Sequence, residues 1–185
     1  RKGFLTPLAV AGLAVPMALS IALWLGLDGG SVAQDSVIRI DTLDTLVVDR
    51  FSLFFKFLFI GVAAVVILMS SEYVRKFRRF QAEYYALILI SATGMMLLAS
   101  TVELITIYIS LELTALPLAA LTAFLRDSRS SESGMKFLIL SGISSAILLY
   151  GMVLIYGFTG STMLEDVAAR LGEMVLTVGQ PFGSY

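Results

Sequence analysis

Between Tyr84 and Leu125 the chain carries no charge except Glu103 and Glu112. That run is about twice the length of the roughly 20 apolar residues that one bilayer crossing requires. Hydrocarbon offers the backbone no water, so such a run must form helices that satisfy their own N–H and C=O groups. Composition points the same way: 58% of the 185 residues are hydrophobic and only 15% are charged. A water-soluble domain of this size would need far more polar surface to cover its core. The expected fold is an all-α membrane protein, a single polytopic transmembrane helix bundle of about five spanning helices.

The spans fall out of the charge pattern. The first is expected over residues 4–27, with Pro7 near its start and Pro16 inside it, where the ring removes a hydrogen bond and should kink the helix. Residues 28–50 are polar, with alternation in Ser36-Val37-Ile38-Arg39-Ile40-Asp41 and again over 46–48, which suggests a hairpin-like segment outside the hydrocarbon. A second span covers 51–70, followed by a charged connector, 71–83. The long apolar run divides at Ser100-Thr101, because Ser100-Thr101-Val102-Glu103 fits the capping-box pattern of a helix start. This gives spans over 84–99 and 101–125. A polar loop, 126–133, precedes the fifth span, 136–158. Residues 159–185 form a tail with an amphipathic piece near 163–175, expected at the interface rather than as a sixth crossing.

Basic residues set the expected orientation. Arg1, Lys2, Arg75, Lys76, Arg78, Arg79, Arg126, Arg129 and Lys136 gather on one side, against Arg39, Arg50 and Arg170 on the other. The first side is expected to face the cytoplasm, with 28–50 outside. The 75–79 cluster is explained by topology and by contact with anionic lipid head groups. The first apolar run is of full spanning length, so no cleavable signal peptide is expected. A chain that starts at Arg1 and stops in a Gly-rich stub is expected to be a fragment.

The chain has no cysteine and no histidine. Thiolate sites, disulfides and the usual general base are excluded, and no bound metal or cofactor is expected. Proton chemistry would have to run on carboxylates, lysines, tyrosines and water. Glu112 then stands out. A carboxylate at mid-span costs about 2.5–3.5 kcal/mol on insertion scales and is functional by default; the alternative is a structural Glu bonded to a neighbouring helix. Pro117 cannot donate to the carbonyl of Leu113, so a helix break is expected beside the carboxylate, as at ion and proton sites. Lys56, about five residues into the second span, could snorkel or pair. Lys136 sits at the inner edge of the fifth span, where a lysine is cheap. Glu103 is explained as a cap. Glu112 lies roughly 13 Å from the outer end of its helix, too far from Lys136 for direct contact. Thr114, Ser141, Ser144 and Ser145 are the polar groups that could carry a water path between them. Ser141, Gly142, Ser145 and Ala146 also give the fifth helix a small-residue face suited to close packing.

Several blocks together resemble one family. These are Ala82-Glu83-Tyr84-Tyr85-Ala86-Leu87, Gly94-Met95-Met96-Leu97-Leu98-Ala99-Ser100 and Leu111-Glu112-Leu113-Thr114-Ala115-Leu116-Pro117-Leu118. Arg126-Asp127-Ser128-Arg129-Ser130, Glu132-Ser133-Gly134-Met135-Lys136-Phe137, Leu148-Leu149-Tyr150-Gly151 and Tyr156-Gly157-Phe158-Thr159-Gly160-Ser161 extend the match, as do Val48-Asp49-Arg50-Phe51 and Phe54-Phe55-Lys56. Over about residues 46–162 the chain is similar to subunit N of proton-pumping NADH–quinone oxidoreductase, respiratory complex I.

The resemblance implies an antiporter-like subunit with inverted helix repeats and a half-channel in each. It implies that Glu112 is the protonatable gating residue of the Leu-Glu-Leu motif, and that Lys136 and Lys56 fall on family lysines of the proton path. The central partner lysines of the family would lie beyond the end of this chain, and a first family helix before Arg1. NADH, FMN, iron–sulfur clusters and quinone would be held by other subunits of the parent complex. The implied partners are neighbouring antiporter-like subunits, small helical subunits and the bilayer, with no nucleic acid, and the implied location is a bacterial plasma membrane. Two alternatives stay open: a subunit of a multisubunit cation/proton antiporter or membrane-bound hydrogenase, and a non-transport scaffold.

Overall fold

A computed structural model describes residues 5–28, 38–39, 45–74 and 80–178. The described elements are α1 (Leu5–Asp28), β1 (Ile38–Arg39), β2 (Val47–Val48), α2 (Arg50–Val74), α3 (Gln81–Leu98), α4 (Leu104–Thr122), α5 (Ser128–Thr159) and α6 (Leu164–Val178). The first five helices are each long and apolar enough to cross a membrane. They are apolar on all sides, as helices surrounded by lipid and other helices must be. Only α6 is strongly one-sided, and it is too short to span. The protein is an integral membrane helix bundle. The 75–79 basic cluster and most of the 28–50 segment lie outside the described residues.

Packing follows chain order: α1 on α2, α2 on α3, α3 on α4, α4 on α5 and α5 on α6, with α3–α4 the most extensive pairing. A core of Ala9, Leu13, Ile60, Ala63, Ile67, Val74, Tyr85, Ile88 and Ala92 joins α1, α2 and α3. The Thr6 and Tyr85 hydroxyls share a 3.0 Å hydrogen bond across it. α1 remains one helix through Pro16.

The starts and stops have local causes. α2 begins with a reciprocal pair: Ser52 N–H donates to Asp49 Oδ1 at 2.7 Å, and Asp49 N–H donates to Ser52 Oγ at 3.0 Å. This is a capping box with serine in the return position. Asp127 caps α5 by accepting from Ser130 N–H at 2.8 Å. α5 therefore begins at Ser128, and most of the expected 126–133 loop is its first turns. It ends at Gly160, whose φ of 67° is left-handed, a conformation open to glycine at little cost.

The capping box expected at 100–103 does not form. Ser100 Oγ instead donates back to Met96 O at 3.3 Å, and Glu103 is extended (φ −127°, ψ 139°) with no side-chain cap bond. The segment is needed elsewhere. Val47 N–H donates to Ser100 O, Val102 N–H to Thr45 O, Leu104 N–H to Thr162 O and Leu164 N–H to Val102 O, at 2.7 to 3.0 Å. With β1 paired antiparallel to β2, these bonds lace four short extended pieces into a seam across one end of the bundle. α4 consequently starts three residues later than expected. It also stops at Thr122, short of 125, and turns through Arg126 at a positive φ of 56°.

Candidate functional site

Glu112 sits midway along α4, eight residues or about 12 Å from its first residue at 1.5 Å per residue. The side chain is half-buried. Ser145 Oγ of α5 donates a hydrogen bond to Glu112 Oε1. A hydroxyl donating to a carboxylate is a charge-assisted bond, about twice as strong as a neutral one. In a span where water is scarce it gives the carboxyl group one of the partners that a buried polar group needs.

The opposite side of α4 is fixed by α3. Gly94 allows the approach: a Cβ there would lie 2.5 Å from Thr114 Oγ1 and 2.8 Å from Thr114 N. Ser91 Oγ donates to Thr114 O at 3.3 Å. Thr114 Oγ1 donates to Ser110 O at 2.9 Å, and fully buried Ser110 donates to Thr106 O at 2.7 Å. The Thr114 and Ser110 hydroxyls return to carbonyls of their own helix, and the three form no hydroxyl-to-hydroxyl wire. Pro117 is buried inside α4, which continues without interruption to Thr122. The break anticipated at Pro117 is thus absent, and the Ser91 bond to Thr114 O shows how a neighbouring helix serves carbonyls in this region.

The other sequence candidates are separated from Glu112. Lys136 lies nine residues before Ser145 on α5, about 13 Å along the axis, and pairs with Glu132 at 2.5 Å on an exposed surface. Ser141 is half-buried on α5 and Ser144 is exposed. Thr114 is turned to α3, so among the four path candidates only Ser145 bonds to Glu112. Lys56 is half-buried in α2, where the acid that acts on it is Asp49 at the head of the same helix.

Glu103, read from sequence as a cap, does something else. Its carboxylate accepts from Thr106 Oγ1 at 2.6 Å and from Thr162 Oγ1 at 3.1 Å, which ties α4 to the segment after α5. No pattern within eight residues could have revealed the Thr162 contact. The roles of Gly94 and Ser91 were also missed, although a small residue at close spacing in a span is a usable signal. No cluster of metal-ligating side chains exists among the described residues.

The described residues form a membrane bundle of five helices long enough to span, with a hydroxyl-bonded carboxylate midway along the fourth. A family model described as NADH:quinone oxidoreductase/Mrp antiporter, transmembrane region, matches residues 101–184. NADH-quinone oxidoreductase subunit N of Dehalococcoides mccartyi is 52% identical over 119 residues, covering 64% of this chain and 24% of that protein. Subunit N of Trichlorobacter lovleyi is 36% identical over 174 residues, covering 94% of this chain and 34% of that protein. The chain therefore spans about a quarter to a third of the length of these relatives. Among solved structures, respiratory complex I from Thermus thermophilus with bound aureothin matches at a TM-score of 0.59 and 26% identity, over 97% of this chain and 43% of that one. A membrane-bound sulfane sulfur reductase, an archaeal respiratory membrane complex, shares the fold at a TM-score of 0.71 and 24% identity, over 95% of this chain and 36% of that one. Over residues 101–184 the chain matches the NADH:quinone oxidoreductase/Mrp antiporter family, and the curated relatives that it resembles are subunits N of NADH-quinone oxidoreductase.

Proposed function

We propose that this chain forms part of a proton-translocating membrane subunit of NADH–quinone oxidoreductase. The observation that carries the reading is the place of Glu112, a carboxylate midway along the apolar spanning helix α4, which α3 fixes from behind; its bond to Ser145 is one that a structural glutamate would also make. The subunit N relatives support the same assignment. NADH oxidation, with its FMN, iron–sulfur clusters and quinone, belongs to other subunits in this reading. Neighbouring antiporter-like and small helical subunits flank the chain in a bacterial plasma membrane, with the basic loops cytoplasmic.

Glu112 works as a carboxylate whose proton occupancy responds to charge. A cation brought near it favours the ionised form, and withdrawal of that cation favours proton uptake. Ser145 supplies a donor while the group is ionised and can accept once it is protonated, since a hydroxyl does both. Lys136 and Lys56 are proposed as further members of the path, reached through water and the Ser141 and Ser144 hydroxyls.

The test is Glu112→Gln in the assembled complex, with pumping followed by a pH-sensitive dye in sealed vesicles. Pumping per NADH oxidised is expected to fall while the subunit still assembles. Full pumping by a well-assembled variant would overturn the assignment. Sodium-dependent proton exchange without redox activity would favour the Mrp-type antiporter that the same family model describes.

A further inference from the structure

At the end of the bundle where α3 begins, α4 ends and α5 begins, a cleft of about 470 Å³ opens between the three helices. Its rim holds a cation and an acid, Arg126 and Glu83, with Phe80, Phe124 and Ser131 beside them. Arg126 is held in place. Its backbone takes a positive φ of 56°, unusual for a side chain of this size. Its N–H donates to Ala123 O at 3.1 Å, and its guanidinium lies 4.7 Å from the centre of the Phe80 ring. Stacking uses the face of the guanidinium and leaves its N–H edge available, the edge that suits phosphate. Strained backbone of this sort persists where the surroundings hold it and gathers at ligand sites.

Glu83 lies in the first turn of α3. Among the described residues it forms no ion pair with Arg126, although both line the same cleft. Of the other charged groups on this end of α5, Asp127 caps the helix, Glu132 pairs with Lys136, and Arg129 is exposed outside the cleft lining. Among the described residues the cleft lining therefore presents one cation and one carboxylate with no ion pair between them. From it an apolar groove of about 340 Å³ continues between α4 and α5, sharing Ala120, Ala123 and Ser131 and reaching Leu116 and Leu138. Both of those leucines are exposed.

We propose that this cleft binds one phospholipid with a primary-amine head group, of the phosphatidylethanolamine class. The phosphate sits on the Arg126 edge, the ammonium faces Glu83, and an acyl chain lies in the Leu116–Leu138 groove. An anionic lipid satisfies Arg126 alone and leaves Glu83 facing negative charge. A choline head group offers Glu83 no N–H donor. Helix ends at this depth mark the membrane interface, where head groups reside.

The test is native mass spectrometry of the delipidated full-length subunit or its complex, titrated separately with dioleoyl phosphatidylethanolamine, phosphatidylglycerol and phosphatidylcholine. The expected order is the ethanolamine lipid first, at one retained copy. Glu83→Gln should bring its affinity down to that of the choline lipid without weakening the glycerol lipid. Arg126→Gly removes the guanidinium while keeping the positive φ, and should weaken all three about tenfold, the least that loss of a charge-assisted bond costs. Preference for the glycerol lipid, indifference to Glu83→Gln, or a cleft shut to all three lipids by a protein segment would each overturn the proposal.

Discussion

Replacing Gly94 by alanine tests whether the α3–α4 approach sets the position of Glu112. The added Cβ would lie 2.5 Å from Thr114 Oγ1, 2.8 Å from Thr114 N and 3.0 Å from Leu113 C. The hydroxyl can rotate away. The two backbone atoms, one and two residues beyond Glu112, cannot. Ordinary contact begins at 3.4 Å, so the helices must part by about 0.6 Å along this line, since a packed core has no slack to absorb it. That displacement would carry the Ser91 bond to Thr114 O, already 3.3 Å, beyond hydrogen-bonding range. Overpacking costs about 1–3 kcal/mol. The lost hydrogen bond adds about 1 kcal/mol, and the better helix propensity of alanine returns about as much. The net expectation is a loss of about 1–3 kcal/mol, read as a lower thermal midpoint of the detergent-solubilised full-length subunit. Gly61→Ala is the control, because a Cβ there meets nothing within 4 Å; its midpoint should hold or rise. Gly94→Ala should also slow pumping in complexes that assemble normally. A midpoint for Gly94→Ala equal to that of Gly61→Ala would refute the reasoning, since it would mean that the two helices do not meet at Gly94.

Ser145→Ala should slow proton pumping about tenfold or more, because the ionised carboxylate loses a bond worth about 1.5–3 kcal/mol, while Ser145→Thr, which keeps the hydroxyl, should retain most of the rate; equal rates in the Ala and parent complexes would detach Ser145 from the site. Asp127→Ala should destabilise the start of α5 by about 1 kcal/mol and Asp127→Asn by much less. Amide hydrogen exchange at Ser130 reads this directly, and unchanged protection in the alanine variant would rule out the cap.

The spans were legible because hydrocarbon enforces them: a run without charge has to become a helix long enough to cross. Glu112 was legible for the same reason, as a cost that needs a return. What failed was local punctuation. Ser100-Thr101-Val102-Glu103 carries the letters of a capping box, but Ser100 can also bond to Met96 O, and the backbone of Val102 is taken by Thr45 and Leu164. Those partners lie 57 and 62 positions away in sequence, where no short pattern reaches. The Asp49–Ser52 box went unnoticed because its return residue is serine rather than glutamate. Pro117 illustrates a different limit. The missing N–H was read correctly, but whether a helix breaks there depends on its neighbours, and α3 packs against this stretch closely enough to keep it whole.

The same contacts bear on how Glu112 could respond to its surroundings. Ser110 and Thr114 face α3, and Glu112, two residues from each, points about 200° around the helix from them. Nothing in the tight α3–α4 seam can reach the carboxylate without unpacking it. α5 is held near both ends: Gly134 is set so close to Ala123 that a Cβ there would lie 2.5 Å from the alanine Cβ, and Thr162, just past α5, is bonded to Leu104 and Glu103. Sliding α5 along α4 would break both ends at once. Between those ends the Ser145 bond to Glu112 joins the two helices at mid-span. The freedom that this frame leaves lies in rotation of the Ser145 hydroxyl and the Glu112 carboxyl. Under the proposed function, a proton-coupled change at Glu112 is a change of side-chain partner on a fixed helix frame.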